Sequence, residues 1–215
     1  VVSQTSRNYS NEFLNIGVDA SALGMSNAVV ASTNDVNSGY WNPAGLLEVK
    51  SNLAVGLMHS EYFAGIAKYD YGAIATPIDT NSALGFSFIR FGVDNIPNTT
   101  ELIDSEGNVD YSRISSFSAA DYAFLFSYAR KLGIPGLRIG ANIKVIHRRA
   151  GDFAKSWGFG LDAAAKYDYN KWKFAAMARD VTSTYNAWSF DLSDQMKETF
   201  VQTDNEIPEN SVEIT

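Results

Sequence analysis

Between Ser156 and Asp168 the chain alternates apolar and polar residues without interruption. One parity carries Trp157, Phe159, Leu161, Ala163, Ala165 and Tyr167; the other carries Ser156, Gly158, Gly160, Asp162, Ala164, Lys166 and Asp168. Successive side chains of a strand point to opposite faces, so a period of two builds one apolar and one polar face. The apolar face is bounded by Trp157 and Tyr167, ten residues apart. A tilted strand needs about 9–11 residues to cross hydrocarbon, with aromatic girdles at both interfaces.

Six further segments repeat the pattern. They are 53–58, 66–77, 83–89, 121–129, 137–146 and 172–179. Polar side chains recur at mid-strand, at Lys68, Asp70, Asn142, Lys144 and Asp162, with Arg138, Lys166 and Arg179 nearer the ends. They form an expected luminal network, because buried charges need partners. Trp157, Tyr167, Trp172, Tyr122 and Tyr128 are the expected interfacial aromatics. A soluble β-sandwich also alternates. The strand length favours the barrel, since ordinary strands run about 5–6 residues.

Composition removes other classes. No run of about 18 apolar residues exists, so no helix crosses a membrane; a β-barrel is untouched by that test. The 215 residues carry a net charge of −7, which speaks against nucleic acid as a partner. Cysteine is absent, so disulfide frameworks, cysteine nucleophiles and cysteine-ligated zinc are excluded. The chain opens Val1-Val2-Ser3. Either a leader has been removed or the chain is a cut piece.

Connections alternate in length. Asp79–Ser82, Gly133–Gly136 and Asp168–Lys171 read as tight turns, whereas 59–65, 90–116 and 148–155 read as longer loops, with the segment after Arg179 the longest. Outer-membrane barrels have short periplasmic turns and long extracellular loops. Bacterial barrels also have even strand numbers, and an open edge in lipid is costly. Seven strands, with an eighth starting at Asn210–Thr215, therefore read as the N-terminal part of a fourteen-stranded barrel. The assembly of two such chains is the alternative.

The first fifty residues lack a clean strand. Asp19–Ala31 suits a short helix or compact plug. Tyr40, Trp41, Asn42, Pro43, Ala44 and Gly45 form an aromatic-led turn, in which Pro43 biases Asn42 away from helical geometry and Gly45 permits a tight bend. The stretch FLNIG through ASALGMSNA to NSGYWNPAGL resembles the N-terminal signature of the PorV/PorQ family, outer-membrane barrels similar to the fatty-acid transporter FadL. Asn42-Pro43-Ala44 matches the hatch motif of FadL-type proteins. The resemblance implies an all-β, antiparallel transmembrane β-barrel of fourteen strands, about seven of them in this chain. Residues 1–52 would be the hatch and 53–215 the first half of the barrel, with long extracellular loops.

The same resemblance implies location in the bacterial outer membrane among outer-membrane lipid. It also implies one of two roles. PorV-like members serve type IX secretion, partnering the translocon and secreted cargo proteins. FadL-like members pass a hydrophobic ligand through the barrel. The N-terminal stretch is closer to the PorV/PorQ pattern, which puts the secretion role first, ahead of the transporter and of a soluble β-sandwich binding module.

No phosphate loop, no nucleophile elbow and no metal-ligand spacing occurs, so the reading is non-enzymatic, with no catalytic residue, cofactor or metal. His59 and His147 fall near the extracellular ends of strands and read as interfacial polar residues. Asp104, Glu106 and Asp110 lie in a segment without the ligand order of a calcium loop. Leu192, Met196 and Phe200 recur every four residues, which predicts a short helix across 191–200 within a capping loop.

Overall fold

The computed structural model describes residues 11–99, 109–194, 196–197, 201 and 206–214. Among these, nine strands form one antiparallel sheet: β1 Ala54–Tyr62, β2 Ala67–Pro77, β3 Ser82–Asn98, β4 Ser115–Lys131, β5 Leu137–Ala150, β6 Ala154–Tyr169, β7 Trp172–Ala178, β8 Tyr185–Phe190 and β9 Ser211–Ile214. The order β1-β2-β3-β4-β5-β6-β8-β9 follows the chain, and β7 also pairs with β6. This is the up-and-down order of a barrel wall, open here between β1 and β9.

All seven expected strands are present. The seventh, however, is only half of its wall position. β7 pairs with residues 163–169 of β6, and β8 pairs with 154–159. Between them the chain leaves the ladder. Asp180 and Ser183 take positive φ values of 53° and 60°, Val181 N donates to Leu161 O at 2.8 Å, and Ser183 N donates to Asp180 O at 2.9 Å. Tyr185, Trp188 and Phe190 therefore belong to the wall rather than to a capping loop. Of the expected helix at 191–200, Asp194, Met196 and Lys197 are helical; residues 195 and 198–200 lie outside the described residues. Asp104 and Glu106 also lie outside them.

Burial follows the period of two. On β6, Trp157 and Phe159 are exposed, whereas Ser156, Asp162 and Lys166 are buried. The buried parity is the inner face, on which residues 11–49 are packed. One six-residue segment of that plug, Pro43–Glu48, contacts five strands from β2 to β6, so the sheet curls round it. The outer face is apolar. Phe88, Phe124, Val145, Phe159 and Tyr185 form one cross-strand row, and Ile74, Phe86, Phe126, Ile143 and Leu161 form the next.

β2 reverses the expected parity. Tyr69, Tyr71, Ala73 and Ala75 are buried on the inner face. Lys68 and Asp70 point outward, so they do not belong to an inner network. Register is the cause: Asp70 pairs with Arg90 and Tyr71 with Ile89, whose faces are set by the Leu84-Phe86-Phe88 stripe. The tyrosine rings fill the inside instead. Tyr71 meets Tyr40 of the plug edge-on at 6.4 Å between centroids, and Tyr69 packs on Tyr62 and Phe91.

The links also differ from expectation. The strands run on past their apolar stripes, so β1–β2 is joined by residues 63–66 and β5–β6 by 151–153, both tight hairpins. β3 and β4 each reach 17 residues and shorten the long link to 99–114. The turns at the other end, joining β2–β3, β4–β5 and β6–β7, mark a common edge. One row runs from Ser82 through Arg130 and Ile139 to Ala165. Ser82 is the first residue of β3, whereas Ala165 is four residues from the end of β6. Rows thus climb from β2 to β6, which is the strand tilt of a barrel.

Candidate functional site

Residues 11–49 contain α1 Ala20–Gly24, α2 Ser38–Trp41 and the 3-10 segment Pro43–Glu48. Asn42 is the pivot between the last two. It is extended, as the position before proline demands. Its side-chain oxygen accepts from Ala44 N at 3.0 Å, and its nitrogen donates to Val30 O at 3.1 Å and to Ala165 O on the wall at 3.4 Å. Asn42 is fully buried, so each of these bonds satisfies a group that water cannot reach. Pro43 needs no donor at the first turn of its helix.

The backbone of this motif rests directly on β5. A Cβ at Gly140 would stand 2.4 Å from Ala44 N and 2.6 Å from Pro43 C. Only glycine permits that approach. Gly45 is equally confined, with Thr33 O 2.7 Å from where its Cβ would be. Beside it, Asn142 Nδ2 donates to Gly39 O at 2.9 Å.

Charged groups hold the plug at three heights. At the turn end, Glu48 meets Arg138 at 2.9 Å, Lys173 at 3.5 Å and the buried ammonium of Lys166. Lys166 also donates to Thr33 O at 2.8 Å, and Arg138 also pairs with Asp168. Midway, Lys144 is 1% exposed and lies between Asp162 at 2.9 Å and Asp180 at 2.8 Å. Asp162 accepts as well from Asn142 Nδ2 and from Asp180 N. Higher still, Asn11 donates to Thr184 Oγ1 at 2.8 Å and accepts from Arg148 at 2.9 Å.

Arg179 forms the side clamp. Its guanidinium donates to Leu14 O at 3.1 Å and Tyr40 O at 3.3 Å. It also lies 4.8 Å from the Tyr40 ring centroid and 5.8 Å from that of Trp41. A partly exposed cation–π contact of this kind contributes about 1 kcal/mol. Trp41 Nε1 donates to Val18 O at 3.0 Å, and Tyr40 OH donates to Leu14 O. Burial pushes the Tyr40 phenol up from its ordinary pKa, which keeps the proton that this bond needs.

Of the expected network, Arg138, Asn142, Lys144, Asp162, Lys166 and Arg179 thus reach the plug directly or through one side chain. Lys68 and Asp70 stand outside with Arg90 and Asp94. Glu48, Asp180, Thr33, Thr184, Asn11, Arg148 and Lys173 join the inner set and were not singled out by sequence. Three inward cations at one end of the wall (Arg138, Lys166 and Lys173) were the available signal for Glu48. The expected interfacial aromatics all lie on the outer face. Trp157 and Tyr122 share a row far from the turn edge, while Tyr128, Tyr167 and Trp172 lie close to it. His59 and His147 are also outside and are separated by β2, β3 and β4. Among the described residues no group of three or more His, Asp or Glu could hold a metal ion.

The arrangement is a plug clamped into a polar wall. A family model described as type IX secretion system protein PorV matches residues 3–211. The chain belongs to the PorV family. Neither the curated proteins nor the solved structures give a match. PorV is a secretion-system family and not an enzyme family, and membership associates this chain with type IX secretion. The all-β antiparallel sheet with its apolar outer face is consistent with the barrel the resemblance implied, though among the described residues the sheet is not closed.

Proposed function

We propose that this PorV-family chain is a non-enzymatic outer-membrane barrel that partners the type IX translocon and its secreted cargo, with the N-terminal segment as a fixed hatch. The observation that carries the reading is the division of labour between the two faces. Ion pairs and close backbone contacts occupy the inner face with the hatch. β3 and β4, at 17 residues each, exceed the about 9–11 residues a membrane strand needs. They carry recognition surface beyond the apolar band, where secreted proteins pass.

The test is a mild-detergent pull-down of the tagged native protein from membranes, read by mass spectrometry. Large outer-membrane or secreted proteins in stoichiometric amounts are the expected result. Recovery of lipids or small hydrophobes alone would overturn it in favour of transport of hydrophobic compounds.

A further inference from the structure

Near the turn edge the outer face carries a trough. Its volume is about 440 Å³, and it crosses β2, β3 and β4 between two rows of outward side chains. Phe86 and Phe126 bound it on the side away from the edge, with ring centroids 5.2 Å apart. Leu84 and Tyr128, paired in register, bound it on the edge side. The floor is backbone, because the residues between these rows turn inward. Ala75 and Ser127 are each 1% exposed, and a Cβ at Gly85 would meet Leu46 of the hatch at 3.0 Å. Leu53 closes the trough at its β1 end. The approach to β1 is held over β2 there, since Thr76 Oγ1 donates to Asn52 O at 2.8 Å.

A cation stands at the lip. Arg130 follows Tyr128 on the same face and pairs in register with Ser82, the first residue of β3. One outward step along a strand is about 6.7 Å, so Arg130 lies at the edge of the band while the trough lies within it. Arg130 is exposed, and among the described residues it makes no ion pair. Asp79 lies in its field, but that carboxylate is bound by the Ser82 hydroxyl and by the amides of Asn81 and Ser82. The adjoining Lys131 donates to Thr80 O at 2.5 Å. On β6 and β7 the same height is filled by rings instead, with Tyr167 and Tyr169 stacked 6.3 Å apart and Trp172 opposite Tyr169. The girdle is thus packed on one side of the wall and hollow, with an unpaired positive charge, on the other.

We propose that this trough and Arg130 form a binding site for one glycerophospholipid of the periplasmic leaflet. An acyl chain lies along the trough and covers Leu84, Phe86, Phe126 and Tyr128. The phosphodiester pairs with the Arg130 guanidinium, whose planar fork of donors matches phosphate oxygens. Charge selects the class of ligand. An anionic head on an apolar tail complements a cation at the lip of an apolar trough, whereas a wholly apolar ligand leaves Arg130 unmatched. The inference rests on the outer-membrane reading above, which puts the turn edge on the periplasmic side. It goes beyond that reading in making one lipid a fixed component of the protein rather than exchanging solvent.

The experiment extracts the full chain from native membranes in mild detergent, washes it extensively in that detergent and reads bound lipid by native mass spectrometry. One phospholipid per protein is expected to survive the wash. Arg130→Gln should lower that occupancy at least fivefold and Leu53→Ala, which opens the β1 end, at least twofold. Lys155→Gln, at an exposed cation on the far part of β6, should leave it unchanged. After exhaustive delipidation, dioleoylphosphatidylglycerol and dioleoylphosphatidylethanolamine should each restore the adduct, whereas dioleoylglycerol, which lacks the phosphate, should not. Four outcomes overturn the proposal: no phospholipid survives the wash, only an outer-leaflet glycolipid does, Arg130→Gln retains as much as Lys155→Gln, or dioleoylglycerol restores binding equally. If in any of these cases the unaltered protein still needs detergent for its release from the outer membrane, the barrel reading stands and only the lipid site falls. If it is released without detergent, both fall.

Discussion

At the scale of single residues, the hatch depends on atoms that leave no room and on charges that leave no slack. Gly140 is the tightest case. Gly140→Ala drives a methyl into the Pro43–Ala44 peptide and should cost about 2 kcal/mol, the usual penalty of overpacking. Gly133→Ala is the control, because nothing lies within 4 Å of its Cβ position. Urea midpoints of protein folded into lipid vesicles check both. Glu48→Gln leaves Arg138 and Lys166 without their shared anion, and breaking a buried pair costs about 3 kcal/mol. The expected readout is faster protease cleavage within residues 11–49. Asn42-Pro43-Ala44 was legible in sequence because its chemistry is local: a side-chain cap, a restricted φ and a bend. Glu48 was not legible, because its three partners arrive from β5, β6 and β7.

At the scale of elements, alternation announces a strand but does not say which face goes inside. For β6 the choice was plain, since one parity is Trp157 to Tyr167 and the other holds Asp162 and Lys166. For β2 it was not. Tyr69 and Tyr71 read as apolar beside Lys68 and Asp70, yet the register with β3 turns the tyrosines inward to meet the hatch. The outward face of β6 can be tested directly. Ala163→Arg should lower bilayer insertion by about 2–4 kcal/mol if it faces lipid near the midplane. Ala164→Arg faces inward opposite Gly140, where the hatch backbone rests, so it should spare insertion and loosen the hatch instead. Equal, small effects in a vesicle folding assay would refute the membrane reading. The β2–β3 turn adds a pH dependence. The Ser82 hydroxyl and two backbone amides hold the Asp79 carboxyl below its ordinary range. Its contribution is complete above the unfolded carboxylate pKa and is lost as pH falls through the lower folded value. Asp79→Asn should therefore remove that acid-dependent part of the unfolding midpoint as pH falls below the ordinary carboxylate range of about 4.

At the scale of the whole molecule, the wall and the hatch complete each other. Lys144, Lys166 and Asp162 are almost fully buried, and Thr33 and Gly39 of the hatch help to satisfy them or their neighbours. Excising residues 11–49 should therefore abolish the heat-resistant folded band on a detergent gel rather than merely open a channel. A folded, stable wall without the hatch would refute that dependence. The split seventh wall position belongs to this scale too. Arg179 and Asp180 leave the ladder and turn to the hatch and to Lys144, and no local pattern in 172–190 announces that. The sequence alone determined the all-β class, the seven strands, the apolar outer stripe and the hatch motif. Each is a matter of period, of residue type or of a short-range restriction on φ, and those forces act within a few neighbours. Only the tertiary structure decided the face of β2, the break between β7 and β8, and the ring of cations round Glu48. Each of these depends on which strand lies beside which, and in what register. Register is settled by the summed pairing of distant residues, which no single segment carries.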